Sequence, residues 1–377
     1  MDNTATLTWF SGNYGSIMQA FALQNKIIEL GYNNHIINYV PDKIEKLAFF
    51  CNSSARFVTL NNKIESRKIQ SKFLSAKEIK EKNDKFNKFY EESFILTKQI
   101  SRQKDMDSLN DEYNTFLCGS DQIWNPNYFK ECNFLNFVSD SAKRIAYAPS
   151  VGTTQLTEKE RNRIKPYLKH FDRISVREES SKKLIQDIVD EPVQVVCDPV
   201  FLLSKEMWIK KMQLTEANEK YILCYFLGDN PQYKKVVEYL KETLKINVKI
   251  IPTNTFGYEM GFDIEKTVGP KDWINLLYGA EFVLTDSFHA TAFSVIFNKD
   301  FYVLKRFADT SSKSQNSRIY HLLDMTGLRS RIWEDDNYSN IGCIQKELWE
   351  KVNQRVSEQR NLSSAWLEKS LSDKTDN

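Results

Sequence analysis

Short apolar runs alternate along this chain with longer stretches whose apolar positions recur every three or four residues. Residues 6–10 read as a strand and 11–16 as a polar loop, and a helix follows over about 17–30, with Ile17, Ala20, Phe21, Leu23, Ile27 and Leu30 on its apolar side. Gly31 ends that helix, and residues 34–39 read as the next strand. A strand–helix–strand opening of this kind predicts an α/β fold with a largely parallel sheet.

The rhythm breaks at 41–110 and then resumes, with strands expected at 114–118, 144–148, 173–176 and 193–197. A second series opens at 221–227 and continues as helix 232–245, strand 247–251, helix 271–279, strand 281–284, helix 290–297 and strand 301–304. The pattern divides the chain into an N-terminal α/β domain at 1–190, a C-terminal α/β domain at 191–344, and a helical, polar segment at 345–377. The length, 377 residues, fits about two domains. The interruption at 41–110 reads as a basic helical insertion in the first domain, because 41–90 holds 12 Lys/Arg against 6 Asp/Glu. Two readings stand for it: a solvated helical face, or a basic surface that meets an anionic ligand or lipid head groups.

Composition narrows the function. A net charge of +2 gives no global field to recruit nucleic acid. No apolar run is long enough for a membrane span, and no basic, apolar leader opens the sequence. The six cysteines form no C-x-x-C pair, and Cys118, Cys197 and Cys224 sit in apolar runs, as reduced thiols of a cytosolic protein do. There is no G-x-G fingerprint, no phosphate-binding G-K-[ST], no G-x-S-x-G elbow and no H-E-x-x-H, so neither a bound cofactor nor a metal is expected.

Ligands of open α/β sheets bind beyond the C-terminal strand ends, so the loops there are where chemistry is expected. Of the four histidines, His35, His170 and His321 fit structural positions, whereas His289 stands between a strand and the helix that follows it. That placement suits a proton donor beside the positive end of a helix. Asp121 and Ser120 at another strand end suit holding or deprotonating a hydroxyl, with an Asx turn as the rival reading. Asn13 and Gly15 allow close approach of an acceptor or simply make a tight turn. Trp124 and Asn125 offer a sugar platform, with burial of the indole as the alternative.

Several segments, in order, resemble the polysaccharide pyruvyl transferase family: Asn13-Tyr14-Gly15-Ser16, Gly119-Ser120-Asp121-Gln122-Ile123-Trp124-Asn125, Ser175-Val176-Arg177-Glu178-Glu179-Ser180, Cys197-Asp198-Pro199, Thr285-Asp286-Ser287-Phe288-His289 and Asn316-Ser317-Arg318. The resemblance implies two Rossmann-like domains with a central cleft, similar to the glycosyltransferase-B fold, with the acceptor on the N-terminal side and the donor on the C-terminal side. It implies transfer of a pyruvyl group from phosphoenolpyruvate to a sugar of a cell-surface polysaccharide or its lipid-linked precursor, forming a cyclic ketal, in the cytoplasm at the inner face of the membrane. Two other readings stay open: a nucleotide-sugar transferase on the same scaffold, or a non-catalytic glycan-binding relative. By resemblance His289 is the general acid and Arg177 binds the donor. Better-studied relatives carry an arginine where this chain has Ser287, so Arg318 first, or else Lys305 or Arg306 at the end of the strand after the His289 helix, is expected to supply the missing charge.

Overall fold

The computed structural model describes residues 2–43, 45–46, 68–308, 316–334, 338 and 342–373. In it the short apolar runs become the strands of two separate sheets, and every strand pairing is parallel. The first sheet holds β1 (Asn3–Leu7), β2 (Asn33–Ile36), β3 (Thr115–Cys118), β4 (Lys143–Ala146), β5 (Arg173–Val176) and β6 (Gln194–Val195), in the order β2-β1-β3-β4-β5-β6. The second holds β7 (Tyr221–Tyr225), β8 (Asn247–Ile250), β9 (Asp263–Ile264), β10 (Phe282–Thr285) and β11 (Asp300–Val303), in the order β11-β10-β7-β8-β9. β3, β4, β7 and β10 are buried along their whole length, as strands covered by helices on both faces must be.

Both orders reverse direction once. The chain leaves β1 for β2 on one side and later returns to lay β3 on the other; it does the same around β7, with β8 on one side and β10 on the other. The crevice beyond the C-terminal ends at such a reversal is where α/β sheets bind ligands. In the first sheet it lies between the loops after β1 and β3, and in the second between the loops after β7 and β10.

The chain divides into two compact units: 1–61, 93–203 and 358–377 form the first, and 62–92 with 204–357 the second. The expected insertion therefore does not belong wholly to the N-terminal domain. Helix α2 (Ala76–Ser93) and the residues just before it count with the second unit up to residue 92. Ion pairs Lys85–Asp272 (3.0 Å) and Lys266–Glu78 (3.3 Å) and the stack of Phe73 on Tyr258 (4.5 Å) account for that allegiance. Residues 47–67, which carry part of the expected basic charge, and Cys51 lie outside the described residues.

The C-terminal helix Lys346–Ser372 contributes its last residues to the first unit. Ser363 Oγ accepts a hydrogen bond from Cys197 N at 2.9 Å, Arg360 donates to the Phe201 carbonyl at 2.8 Å, and Lys143 on β4 donates to the Ser370 and Leu371 carbonyls at the helix end. Cys118, Cys197 and Cys224 are buried reduced thiols, as their apolar runs indicated. Among the described residues no helix is long and apolar enough to cross a membrane.

Candidate functional site

In the first unit, α1 (Tyr14–Glu29) begins three residues earlier than expected because Asn13 caps it, its side chain accepting from Gly15 N at 2.8 Å. Capping places Ser16 in the first turn, where its hydroxyl donates to Asp121 Oδ2 at 2.7 Å. Asp121 itself sits at φ 60° in the loop after β3, and its backbone carbonyl accepts from Ser150 N at 2.7 Å. At the reversal point of the first sheet, the start of α1 and the loop after β3 are thus joined by a serine–carboxylate bond.

Arg177, at the end of β5, lies in the same cluster with only 3 % of its surface exposed. Its Nη1 donates to Asp198 Oδ2 at 2.7 Å, its Nε approaches Glu178 at 3.5 Å, and its Nη2 stands 3.8 Å from Asp121. Burial acts to lower the Arg177 pKa, but the charges of Asp198, Glu178 and Asp121 outweigh it and hold the guanidinium above its ordinary value. Glu178 is further held by Ser150 and Ser181, and Asp198 Oδ1 accepts from Val200 N at 3.0 Å. One cation among three carboxylates is a locally acidic arrangement. It suits hydroxyl groups, and it argues against the expected role of Arg177 in binding an anionic donor.

Other expectations for this unit change as well. Ser120 is fully buried and spends its hydroxyl on the Ala148 carbonyl at 2.7 Å, while its N–H donates to Gln19 at 3.1 Å, so it positions a loop rather than a ligand. Asn125 caps the short helix Pro126–Tyr128, accepts from Asn127 N and donates to Gln122. Trp124 is buried, stacks on Phe134 at 5.4 Å and donates to the Asn133 carbonyl, which settles it as core. Asn13 is exposed at the helix start, and Gly15 is buried within the first turn, where no positive φ is required of it.

In the second unit, the residues just after β10 anchor the neighbouring loops and the helix that follows. Asp286 Oδ1 accepts from Leu227 N at 2.7 Å, and its Oδ2 accepts from Gly228 N at 2.7 Å and from the Tyr233 hydroxyl at 3.3 Å. These bonds tie the loops after β7 and β10 together at the reversal point. Arg306, three residues beyond β11, closes on the same group, with Nε donating to Asp286 Oδ2 at 3.1 Å and Nη2 to its main-chain oxygen at 3.0 Å. Gly228 leaves room for this; a Cβ there would stand 2.9 Å from Arg306 Cγ and 3.0 Å from Asp286 Oδ2.

Ser287 is the N-cap of α3 (Phe288–Ile296), its side chain accepting from Ala290 N, so its hydroxyl is committed to the helix. Phe288 lies against His289, with ring centroids 5.1 Å apart, and Arg318 stands over the Phe288 ring with its guanidinium carbon 6.0 Å from the centroid. α3 thus starts at Phe288, two residues before the start expected at 290, and His289, 93 % buried, lies in its first turn. Lys305 pairs with Glu334 at 3.3 Å, and its carbonyl accepts from Tyr233 at 3.2 Å. Ser287, His289 and Arg318 are brought together around Phe288, and Lys305 is joined through Tyr233 to Asp286.

Asp198, Glu178 and Asp286 carry much of this geometry without having been assigned roles from sequence, whereas Arg306 stands among the cations expected near the donor. Their signal was position: each carboxylate follows within three residues of a strand end, where a charged group is either solvated or at work. Among the described residues no group of three His, Cys, Asp or Glu stands together to hold a metal ion.

Two α/β units, each built on an all-parallel sheet with a polar cluster at its reversal point, define a fold of the glycosyltransferase-B kind. The structure is similar to a UDP-N-acetylglucosamine 2-epimerase from Listeria monocytogenes, described as putative, with TM-score 0.53 and 10 % identity over 96 % of this chain and 90 % of that one. It is also similar to the UDP-GlcNAc 2-epimerase of Methanocaldococcus jannaschii, with TM-score 0.50 and 11 % identity over 96 % and 93 %. The sequence profile of the polysaccharide pyruvyl transferase family matches residues 13–306, and the chain belongs to that family. It is accordingly a polysaccharide-modifying transferase. No curated protein matches it in sequence.

Proposed function

We propose that this protein transfers the pyruvyl group of phosphoenolpyruvate to two hydroxyls of a sugar in a cell-surface polysaccharide, such as a capsule or exopolysaccharide, or in its lipid-linked precursor, forming a cyclic ketal. The observation that carries the proposal is His289, buried in the first turn of a helix at a strand end, with the cations Lys305, Arg306 and Arg318 on the elements around it. In this reading His289 gives a proton to the methylene carbon of the donor. A sugar hydroxyl then bonds to the central carbon and returns its proton to His289, the carbon–oxygen bond to phosphate breaks, and a second hydroxyl bonds to the same carbon and gives its proton to the departing phosphate, closing the ketal. The second unit carries the donor, which is the only co-substrate required, and no metal takes part.

Asp121, held by Ser16, is assigned to the acceptor, with Asn13 and Gly15 at its side. A glycan or lipid-linked oligosaccharide is the partner, met in the cytoplasm at the membrane's inner face, and no nucleic acid is involved. The test is incubation with phosphoenolpyruvate and candidate glycans, following phosphate release and the mass increment of a pyruvyl ketal. Release of a nucleoside diphosphate from a nucleotide sugar, with no phosphate from phosphoenolpyruvate, would replace this reading with a glycosyltransferase. Glycan binding without turnover of either donor would leave a non-catalytic relative.

A further inference from the structure

Beside the end of β11 in the second unit lies a cavity of about 230 Å³, lined by Gln232, Tyr233, Lys305, Arg306, Trp333 and Glu334 among others. Two faces of the Arg306 guanidinium are already spoken for. Its Nε and Nη2 donate to the carboxylate and the main-chain oxygen of Asp286. Its Nη1 has no protein partner among the described residues, and the side chain keeps 24 % of its surface exposed. The residue is therefore fixed along one edge and presents the other at the cavity wall.

The carboxylate that holds it does not depend on it. Asp286 already accepts from two main-chain amides and a phenol, so its charge is met by donors that come from the loop after β7 and from Tyr233. A guanidinium whose counter-ion is satisfied elsewhere keeps positive charge to offer on its outward edge, and its planar fork suits the oxygens of a phosphoryl group. Lys305 adds an ammonium on the same cavity wall, part-exposed and paired with Glu334, whose side chain is 65 % exposed. At the helix start itself the hydroxyl of Ser287 is committed to capping and carries no charge.

We infer that Arg306, locked in place by Asp286, binds the phosphoryl group of the donor in this cavity, and that it supplies the positive charge that Ser287 does not. The inference rests on the reading of the donor as phosphoenolpyruvate only for the identity of the phosphate ester; the anion site stands on its own geometry. Asp286 is in this scheme a positioning residue.

Calorimetric titration of the full chain with inorganic phosphate, with pyruvate and with phosphoenolpyruvate tests it, using wild type, Arg306→Ala and Arg306→Lys, each checked for an unchanged melting temperature. Wild type is expected to bind phosphate and phosphoenolpyruvate. Arg306→Ala should weaken both at least tenfold, and Arg306→Lys should recover only part, because it restores charge without the fork. Should Arg306→Ala lower melting, Arg306→Lys alone carries the comparison. Unchanged phosphate affinity in the variants, a loss confined to pyruvate, or a wild type that binds neither phosphate compound overturns the inference. Phosphate bound through Arg306 without ketal formation keeps the site and removes the pyruvyl-transfer reading. Ketal formation undiminished in Arg306→Ala does the reverse.

Discussion

Replacing Arg177 with methionine should damage the first unit far more than a lost ligand contact would. The side chain is 2 % exposed and stands within 4 Å of Asp198, Glu178 and Asp121, whose side chains are 1 %, 2 % and 11 % exposed. Methionine fills similar volume but removes the guanidinium that stands among the three carboxylates. Breaking a buried pair from one side costs about 3–5 kcal/mol, because the remaining charge stays buried and uncompensated. For a domain of about 150–250 residues that corresponds to roughly 6–20 °C in melting temperature. A second substitution, Asp198→Asn, removes the nearest of the three charges. The double variant should regain about 0.5–3 kcal/mol of the deficit relative to the sum of the single changes. Urea unfolding of the three variants beside wild type, followed by circular dichroism and intrinsic tryptophan fluorescence, measures each term. A single variant within about 0.5 kcal/mol of wild type, in the range of an ordinary surface change, would refute the argument. It would mean that the cluster is solvated in solution and open to a ligand, and the donor-binding role expected for Arg177 would return.

Three other outcomes are expected. His289→Ala should lower ketal formation by about 10²–10⁴-fold with little change in melting temperature, and near-normal turnover would remove the histidine from the chemistry. Gly119→Ala should cost at least about 3 kcal/mol, since a Cβ at φ 115° would stand 2.1 Å from the Tyr147 carbonyl oxygen; soluble protein with wild-type melting would show that the loop after β3 moves aside. Burial lowers the His35 pKa from its ordinary 6.5, with Glu112 opposing, so the unfolded chain takes up the proton before the folded one does. Its share of stability is present above pH 6.5 and is lost as the pH falls toward the folded value; His35→Phe should flatten that slope, and parallel slopes in wild type and variant would exclude the residue.

Period and position made the β10–α3 junction legible. An apolar run, a polar step and a second apolar stretch placed strand and helix within two residues of where they lie, and the helix starts early because Ser287 caps it. β9 escaped because two residues, Asp263–Ile264, make no pattern. The allegiance of α2 escaped for another reason: a charged helix face shows that partners exist without naming them, and here they are Asp272 and Lys266. The buried carboxylates were hidden by the rule that charge belongs at the surface. Asp198 and Asp286 break it because each is met by several donors that only the folded chain assembles.

The first unit is closed by the helix Lys346–Ser372, made long after its strands. On the ribosome, β1 to β6 are complete before β7 is made, yet Lys143, Cys197 and the Phe201 carbonyl must wait for Ser370, Ser363 and Arg360. At ~5–20 residues per second that wait is roughly 10–35 s. For that interval the nascent first sheet is a structure without its closing helix, exposed to chaperones and proteases while the second unit is synthesised. A stop codon shortly before residue 358 would leave that state permanent, so loss of the helix residues 358–372 should deplete the protein by unfolding the part that was made first.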